Sequence, residues 1–530
     1  MGLRDVASGA FPPGTLRGRV VRDLAATVGL AQGSAFDQKL NFYAQHLEPH
    51  LFGPVVRCER PADHPLFSVV VPFFNTPDRY LRPLLDSLAS QSFGQWELLM
   101  GDASTEPDRV AAIERASRTD PRFRYRRLAT NGGISANTNA LLPAARGDYL
   151  VFCDHDDLLS LDALNENARC VLADPGIDIL YSDEDVISDD GRVRHTPFFK
   201  AAWSPHMFLE CNYTNHLSVI RRSLVEAVGG LRSDFDGAQD YDLLLRLHTL
   251  PDPVRVAHIP KVLYHWRQAE HSTARQMGTK PYALQAGSRA LGEYLARLGV
   301  DCAGVTDQPG RPGWYHVQPR CRATACVVVA VSDDADLNAR FADLIRARTD
   351  GHDVTASFVV VPHREARAEL ADLAGEADLV VAVAEPYVPR SPEWLDECAG
   401  VLGLPAVDIV APLLVRSTGE AIDAGLMRDD VGSGLMPLYA GMPAAAGGPA
   451  GPADMVRDVD GLNGAVVAVR RENCGLLAGD GPVTPGAGYA VLWAHQRFIR
   501  VEFPRRDGFL NANLALDGAA VTLRQGWWEQ

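Results

Sequence analysis

The chain has 530 residues, 46% hydrophobic and 22% charged, with a net charge of −16. This is globular composition, so disorder, collagen and coiled coil are excluded as descriptions of the whole. The acidic excess disfavours non-specific nucleic-acid binding, which needs basic patches, although Arg122 to Arg127 is one local exception.

No apolar run approaches the ~18 residues of a membrane-spanning helix, and the first residues lack the apolar core of a secretory signal. The nine cysteines are scattered and odd in number, without a C-x-x-C pair. Neither a zinc site nor a disulfide framework is indicated, and a reducing, cytoplasmic setting is expected.

Residues 1–64 read as a polar, partly helical lead-in. Its basic stretch Arg17 to Arg22 precedes Leu24, Val28 and Leu30, which suits a docked helix or an anionic membrane surface. From Phe67 the texture changes. Ser68-Val69-Val70-Val71-Pro72 is a short apolar run closed by a breaker, as in a buried parallel strand. Leu81, Leu84, Leu85 and Leu88 then recur at helical spacing, and Trp96 to Met100 forms a second strand candidate. Strands at Phe123 to Tyr125 and Tyr149 to Cys153 continue the alternation, which predicts an α/β fold with a largely parallel sheet.

The Pro/Gly-rich stretch Gln308 to Gly313 reads as a linker, after which the pattern restarts. Strands are expected at Cys326 to Val331, Ser357 to Val361 and Leu379 to Val383, with a helix from about Asp336. An Ala/Gly/Pro run between Gly441 and Pro452 reads as a surface loop. The restart is an internal repeat. Gly147-Asp148-Tyr149-Leu150-Val151 aligns with Ala377-Asp378-Leu379-Val380-Val381, and Val219 to Arg222 matches Val467 to Arg471. The expected divisions are a lead-in over 1–64, a first domain over 65–305, a linker over 306–323 and a second domain over 324–530.

Chemistry concentrates in the first copy. Asp154-His155-Asp156-Asp157 follows an apolar strand, at the sheet edge where open α/β folds bind ligands. Asp154 and Asp156 could share a hard divalent cation with substrate phosphates, or serve as helix caps. Asp102 follows another strand, where a carboxylate could accept from a nucleobase N–H or close an Asx-turn. Asn131-Gly132-Gly133 supplies a tight turn that lets backbone approach a ligand, or a plain loop. Asp183-Glu184-Asp185 reads equally as a solvated turn or a substrate contact. Asp240, opening a helix, is a cap or a general base. Arg267 and Ser272, five residues apart, can hold a diphosphate, with His265 completing a metal shell.

Together these residues resemble the family 2 glycosyltransferases of the GT-A fold, above all bacterial members that build O-antigen, capsule or other cell-surface polysaccharides. Phe67 to Pro72 with Asn75 is similar to the family's opening strand and nucleotide-binding turn. Gly101-Asp102-Ala103-Ser104 resembles its D-D-x-S element, with Gly101 in place of the first acid. Asp154-His155-Asp156 resembles the metal-binding D-x-D, Gln239-Asp240-Tyr241-Asp242 the motif of the catalytic base, and His265-Trp266-Arg267 with Ser272 the terminal motif near the diphosphate.

The resemblance implies an inverting, metal-dependent transfer from a nucleotide-sugar, a UDP-sugar in the first instance, to a saccharide or lipid-linked saccharide. Pro72, Asn75, Asp102, Asn131, Gly133, Asp154, Arg267 and Ser272 would bind the nucleotide-sugar. Asp154, Asp156 and His265 would hold Mn²⁺ or Mg²⁺, and Asp240 would be the base. No nucleic-acid partner is implied, and peripheral membrane association and homo-oligomerisation stay open. The second copy resembles a degenerate GT-A domain: Ala384 and Pro386 align with Asp154 and Asp156, and Tyr489 with Tyr241, which leaves neither metal ligands nor a base. The rival readings are a nucleotidyltransferase and a non-catalytic carbohydrate-binding or scaffolding protein.

Overall fold

The computed structural model describes residues 57–58, 64–268, 281–349, 353–362, 370–384, 386–428, 435–438, 444, 454–477, 482–500, 513–516 and 519–522. Most of the lead-in, Ser272 and nearly all of the Ala/Gly/Pro run lie outside the described residues.

The first half is built on one mixed sheet. Its strands are β1 (Phe67–Phe73), β2 (Trp96–Asp102), β3 (Phe123–Arg127), β4 (Tyr149–Phe152), β5 (Leu158–Leu159), β6 (Ile179–Ile187), β7 (Arg194–Phe198), β8 (Ser218–Arg221) and β9 (Val256–Arg267). They run in the order β3-β2-β1-β4-β8-β6-β9-β5, with β7 paired to β6. The continuous apolar run of β1 is buried almost throughout, because helices cover both faces of the sheet. Helix α1 (Asp78–Ala89) buries Leu81, Leu84, Leu85 and Leu88, the predicted stripe. Helices α2 (Pro107–Ala116), α3 (Ile134–Asn139), α4 (Ala163–Ala173), α5 (Pro205–Phe208), α6 (Arg222–Ala227), α7 (Gln239–Leu247) and α8 (Pro281–Arg297) complete this half. Strand β1 pairs in parallel with both β2 and β4. The chain therefore reverses its direction of growth between β1 and β4, the switch point at which such sheets open a crevice.

A hairpin of β10 (Cys302–Asp307) and β11 (Tyr315–Pro319) follows. The stretch Gln308 to Gly313, expected as a linker, is its turn. Gln308 N–H donates to the Trp314 carbonyl at 2.8 Å, and Gly310 and Gly313 supply φ of 75° and 82°. A linker and a tight reversal draw on the same residues, and only the pairing partner tells them apart.

The second half continues with β12 (Ala323–Val329), α9 (Ala335–Arg346), β13 (Val354–Val360), β14 (Leu379–Val383), β15 (Tyr387–Pro389), α10 (Trp394–Leu402) and β16 (Val407–Val415). Then come β17 (Ala421–Asp423), β18 (Leu426–Arg428), β19 (Leu435–Pro437), β20 (Arg457–Val459), β21 (Val466–Arg470) and β22 (Tyr489–Arg500). Its sheet order is β13-β12-β14-β21-β16-β22-β15, with β17 on β16. Without β3, the first sheet has the same order and the same parallel or antiparallel sense at every step. Register agrees too. Tyr149 pairs with Arg221, as Leu379 does with Arg470. Arg222 N–H donates to the Asp148 carbonyl, as Arg471 N–H does to that of Asp378, both at 2.9 Å. The internal repeat is therefore two copies of one α/β topology.

One alignment needs correction. Tyr489 opens β22, the counterpart of β9, whereas Tyr241 lies in helix α7. Among the described residues the only helical element between β21 and β22 is the 3₁₀ turn Arg471–Leu477. The second copy thus has no described equivalent of α7 rather than an α7 with altered residues.

The two halves share a hydrophobic core that includes Tyr241 and Tyr315 as well as Trp394 and Trp493. Polar contacts cross the same seam. Asp458 accepts from Ser204 Oγ at 2.7 Å and meets His206 Nδ1 at 2.5 Å. Glu210 accepts Val456 N–H at 2.8 Å, and burial pushes its carboxyl up to about 7. No described helix is long and apolar enough to cross a membrane. Asp458→Ala leaves Ser204 and His206 with unmet polar groups inside the seam. Urea unfolding should show about 1–3 kcal/mol of lost stability. Asp343→Ala, on an exposed ion pair with Arg346 in the same half, should leave the midpoint unchanged.

Candidate functional site

The loop after β4 carries the acidic run, and its three carboxylates do different work. Asp157 is 1% exposed. It accepts the Tyr264 hydroxyl at 2.5 Å and the Arg267 backbone N–H at 2.7 Å, tying this loop to β9. Burial, with Asp156 and Asp154 adding to it, pushes its carboxyl well above the usual range. Asp156 is raised too, chiefly by burial and further by Asp154. Arg267 Nε donates to the Asp156 carbonyl at 2.5 Å. Asp154 is held through its backbone: its N–H donates to Tyr264 Oη at 3.3 Å and its carbonyl accepts from Cys153 Sγ at 3.4 Å, and the residue lines a pocket.

That pocket opens at the switch point. Its wall includes Pro72 from the end of β1, Asp154, Asn215, His216 and Asp240, with apolar cover from Ile134, Leu243 and Leu244. Asp240 reaches it from the first turn of α7, where its Oδ1 accepts the Tyr241 N–H at 2.9 Å. Burial raises the Asp240 carboxyl, while the nearby charge of His216 pulls it back down. The other acid of this motif, Asp242, is turned away and paired with Arg246 at 2.9 Å and with Arg232. Asp240 and Asp154, distant in sequence, meet here.

Of the donor-side residues of the sequence reading, Pro72 and Asp154 line this pocket, whereas Asp102, Asn75, Asn131, Gly133 and Arg267 are not among its lining residues. Asp102 is fully buried, and its carboxylate accepts Ser104 N–H at 2.8 Å and Tyr125 O–H at 2.9 Å. In this conformation one oxygen serves the turn after β2 and the other ties it to β3. Asn75 holds the same turn, accepting Thr105 N–H at 2.9 Å and Glu106 N–H at 3.1 Å. Asn131 Oδ1 accepts Gly133 N–H at 3.2 Å and Asn137 Nδ2–H at 2.8 Å, closing the loop that starts α3. Gly133 has φ of 90°, and a Cβ there would lie 2.4 Å from Asp236 Oδ2. Arg267 is 1% exposed and stands over the Tyr80 ring at 5.3 Å. Its Nη1 donates to the Asp189 carbonyl at 3.0 Å, and its buried Nη2 has no partner among the described residues.

Two expectations are corrected. His265 is not free to complete a metal shell. Its Nδ1 meets Asp185 Oδ1 at 2.6 Å and its Nε2 meets Ser160 Oγ at 3.0 Å, both inside the sheet. Asp183-Glu184-Asp185 is neither a solvated turn nor an open contact, since it lies within β6. Asp183 pairs with His258 at 2.8 Å and Asp185 with Arg194 at 2.9 Å. The compensating bases come from other strands, so local sequence showed only the acids.

Sequence reasoning missed His216. Its backbone N–H and Nδ1 both meet Glu184 Oε2, the latter at 3.1 Å. Its ring stacks on Tyr264 with centroids 4.9 Å apart. Lys200, fully buried, donates to the His216 carbonyl at 2.7 Å and to Glu184 at 3.3 Å. Burial opposes charge on the imidazole. The Glu184 hydrogen bond and charge, with Asp154 and Asp157, outweigh it and push His216 up to about 9. Nothing in the local sequence marks this residue, because its partner sits on a separate strand.

Among the described residues no group of three or more His, Cys, Asp or Glu side chains is arranged to hold a metal ion. Asp154 and Asp156 nevertheless fit a cation that takes one or two carboxylates and draws its other ligands from diphosphate and water. Burial and the nearby Asp154 charge raise the Asp156 carboxyl, and a cation there would relieve that repulsion.

Residues 68–229 match the family model described as glycosyl transferase family 2. The chain is 38% identical over 288 residues to the O-antigen biosynthesis protein RfbC of Myxococcus xanthus, across 54% of this chain and 22% of that protein. It therefore spans about a fifth of that relative's length. Among solved structures, Staphylococcus aureus TarS 1–349 in complex with UDP is 20% identical at a TM-score of 0.32, covering 43% of this chain and 72% of that one. The mannosyltransferase PcManGT of Pyrobaculum calidifontis, in complex with GDP-Man and Mn²⁺, is 19% identical at a TM-score of 0.33, covering 54% and 86%.

The His216 environment makes a metal-free prediction about stability. The fold raises the imidazole above its ordinary ~6.5, so the charged form stabilises the folded chain. That contribution is complete below ~6.5 and disappears as pH rises through about 9. Denaturant titrations from neutral pH to pH ~10 should show a loss on the order of 2–3 kcal/mol that His216→Gln lacks.

Proposed function

We propose that this chain, which carries a family 2 glycosyltransferase domain of the GT-A type, transfers a sugar with inversion from a nucleotide-sugar, UDP-linked in the first instance. The acceptor is a hydroxyl of a saccharide or lipid-linked saccharide, in the making of a cell-surface polysaccharide. The observation that carries this reading is the meeting of Asp154 and Asp240 in one pocket at the switch point. A diphosphate-side acid and a base on separate elements are what a displacement at an anomeric carbon requires. The RfbC relative supports the polysaccharide setting.

Asp154 and Asp156 would hold Mn²⁺ or Mg²⁺, which when bound supplies Lewis-acid stabilisation of the diphosphate's charge. The chain's own residues do the rest. Arg267, whose Nε holds the Asp156 backbone and whose Nη2 has no partner among the described residues, would donate to a diphosphate oxygen. Asn75, Asn131 and Gly133 shape the loops that would receive the nucleotide. Asp240 accepts the acceptor hydroxyl's proton as its oxygen attacks. Burial brings that carboxyl towards the proton affinity a base needs near neutral pH. Among the described residues the second half shows no counterpart of Asp154 or Asp240: Ala384 follows β14 where Asp154 follows β4, and no described helix answers to α7. Its proposed role is to support the first half through their common core.

Asp240→Asn should lower turnover by ~10²–10⁴-fold while nucleotide-sugar binding stays near wild type. Equal loss of both would reject Asp240 as the base. A panel of nucleotide-sugars, assayed for released nucleoside diphosphate, should give turnover that chelation abolishes and Mn²⁺ or Mg²⁺ restores. Release of pyrophosphate instead would identify a nucleotidyltransferase, and release of neither would favour a binding protein.

A further inference from the structure

We infer that His216 touches the donor at the bond that breaks, its Nε2–H donating to the phosphate oxygen that leaves the anomeric carbon. The inference rests on the transferase reading above. Three contacts hold the residue rigidly. Its Nδ1 and backbone N–H share Glu184 Oε2, its carbonyl is held by Lys200 at 2.7 Å, and its ring lies on Tyr264, 14° from parallel. With Nδ1 engaged by Glu184, Nε2 is the nitrogen left to serve the pocket that His216 lines.

The location fixes the role. Asp154 marks the diphosphate side of this pocket and Asp240 the acceptor side, so the anomeric carbon lies between them. Among the described residues lining the pocket, His216 is the sole basic one, set against two carboxylates. A leaving phosphate placed there lies between the cation-holding side marked by Asp154 and the carboxylate of Asp240. A fixed cationic donor facing it is worth most in the transition state, where the charge grows, and the apolar walls from Leu243 and Leu244 strengthen the interaction. As the acceptor oxygen bonds to the anomeric carbon, the bond from that carbon to the phosphate oxygen breaks. Its electron pair stays on that oxygen, and the acceptor's proton passes to Asp240. His216 keeps its proton throughout.

Two amide substitutions separate this role from simple support. The Asn amide of His216→Asn replaces the Nδ1 contact to Glu184 but does not reach the pocket. The Gln amide of His216→Gln reaches the Nε2 position. Each is assayed on the full chain for kcat and for donor KM, with a thermal melt to establish folding. We expect His216→Asn to lose ~10²–10³-fold in kcat, with a much smaller change in KM, and His216→Gln to recover part of the loss. His216→Asn equalling or exceeding His216→Gln, or a loss confined to KM, would overturn the assignment. Should either variant fail to fold, the other is compared with His216→Ala under the same criterion: kcat within twofold of wild type overturns the assignment (about 0.4 kcal/mol). A wild-type chain that transfers no sugar overturns the transferase reading and this assignment together. A wild-type chain that transfers while His216→Asn matches it overturns this assignment alone.

Discussion

The buried carboxylate of Asp157 is the point on which the site depends. It is held by Tyr264 and by the backbone of Arg267, both on β9, while the loop that carries it leaves β4. Strands β8 and β6 lie between β4 and β9 in the sheet, and the far end of the loop reaches β9 through the short pairing of Leu158 and Leu159. The clamp reinforces that junction from the loop itself, committing one acid of the run to architecture while Asp154 lines the pocket. An unpaired buried carboxylate would be costly; two donors make this one a fixed corner.

From that corner the polar architecture spreads as a chain of contacts. Tyr264, fixed by Asp157, presents its ring to His216 and its hydroxyl to the Asp154 backbone. His216 leads to Glu184, and Glu184 to Lys200. Each group is buried or half-buried, and each is met by a charge or donor from another part of the chain. The pocket is thus bounded by side chains whose positions are over-determined, which is the preorganisation an electrostatic site needs.

What could be read from the sequence follows from the range of the interactions involved. Strands β1, β2, β4 and β14 announce themselves because a strand buried on both faces must be apolar along its length. The repeat was visible for the same reason. Of the site, Asp154 and Asp240 were legible because each opens a segment at a strand or helix end, where a carboxylate stands out. His265 was misread because its two partners, Asp185 and Ser160, are remote in the chain. The acids of β6 suggested solvent, since the bases that neutralise them lie on other elements. His216 had no local signature at all. The Tyr241–Tyr489 alignment matched a letter without its element, and topology alone separates a helix from a strand.

The seam between the halves has a consequence for anyone wishing to trim the molecule. Composition invites a cut at the Pro/Gly-rich turn near Gly310, yet that turn belongs to a hairpin, and Tyr315 on its far strand packs against Tyr241 of helix α7. Severing the chain there would remove one wall from the helix that bears Asp240 and bare apolar surface on both fragments. The halves share a pattern of folding, but the first has ceased to be a detachable module.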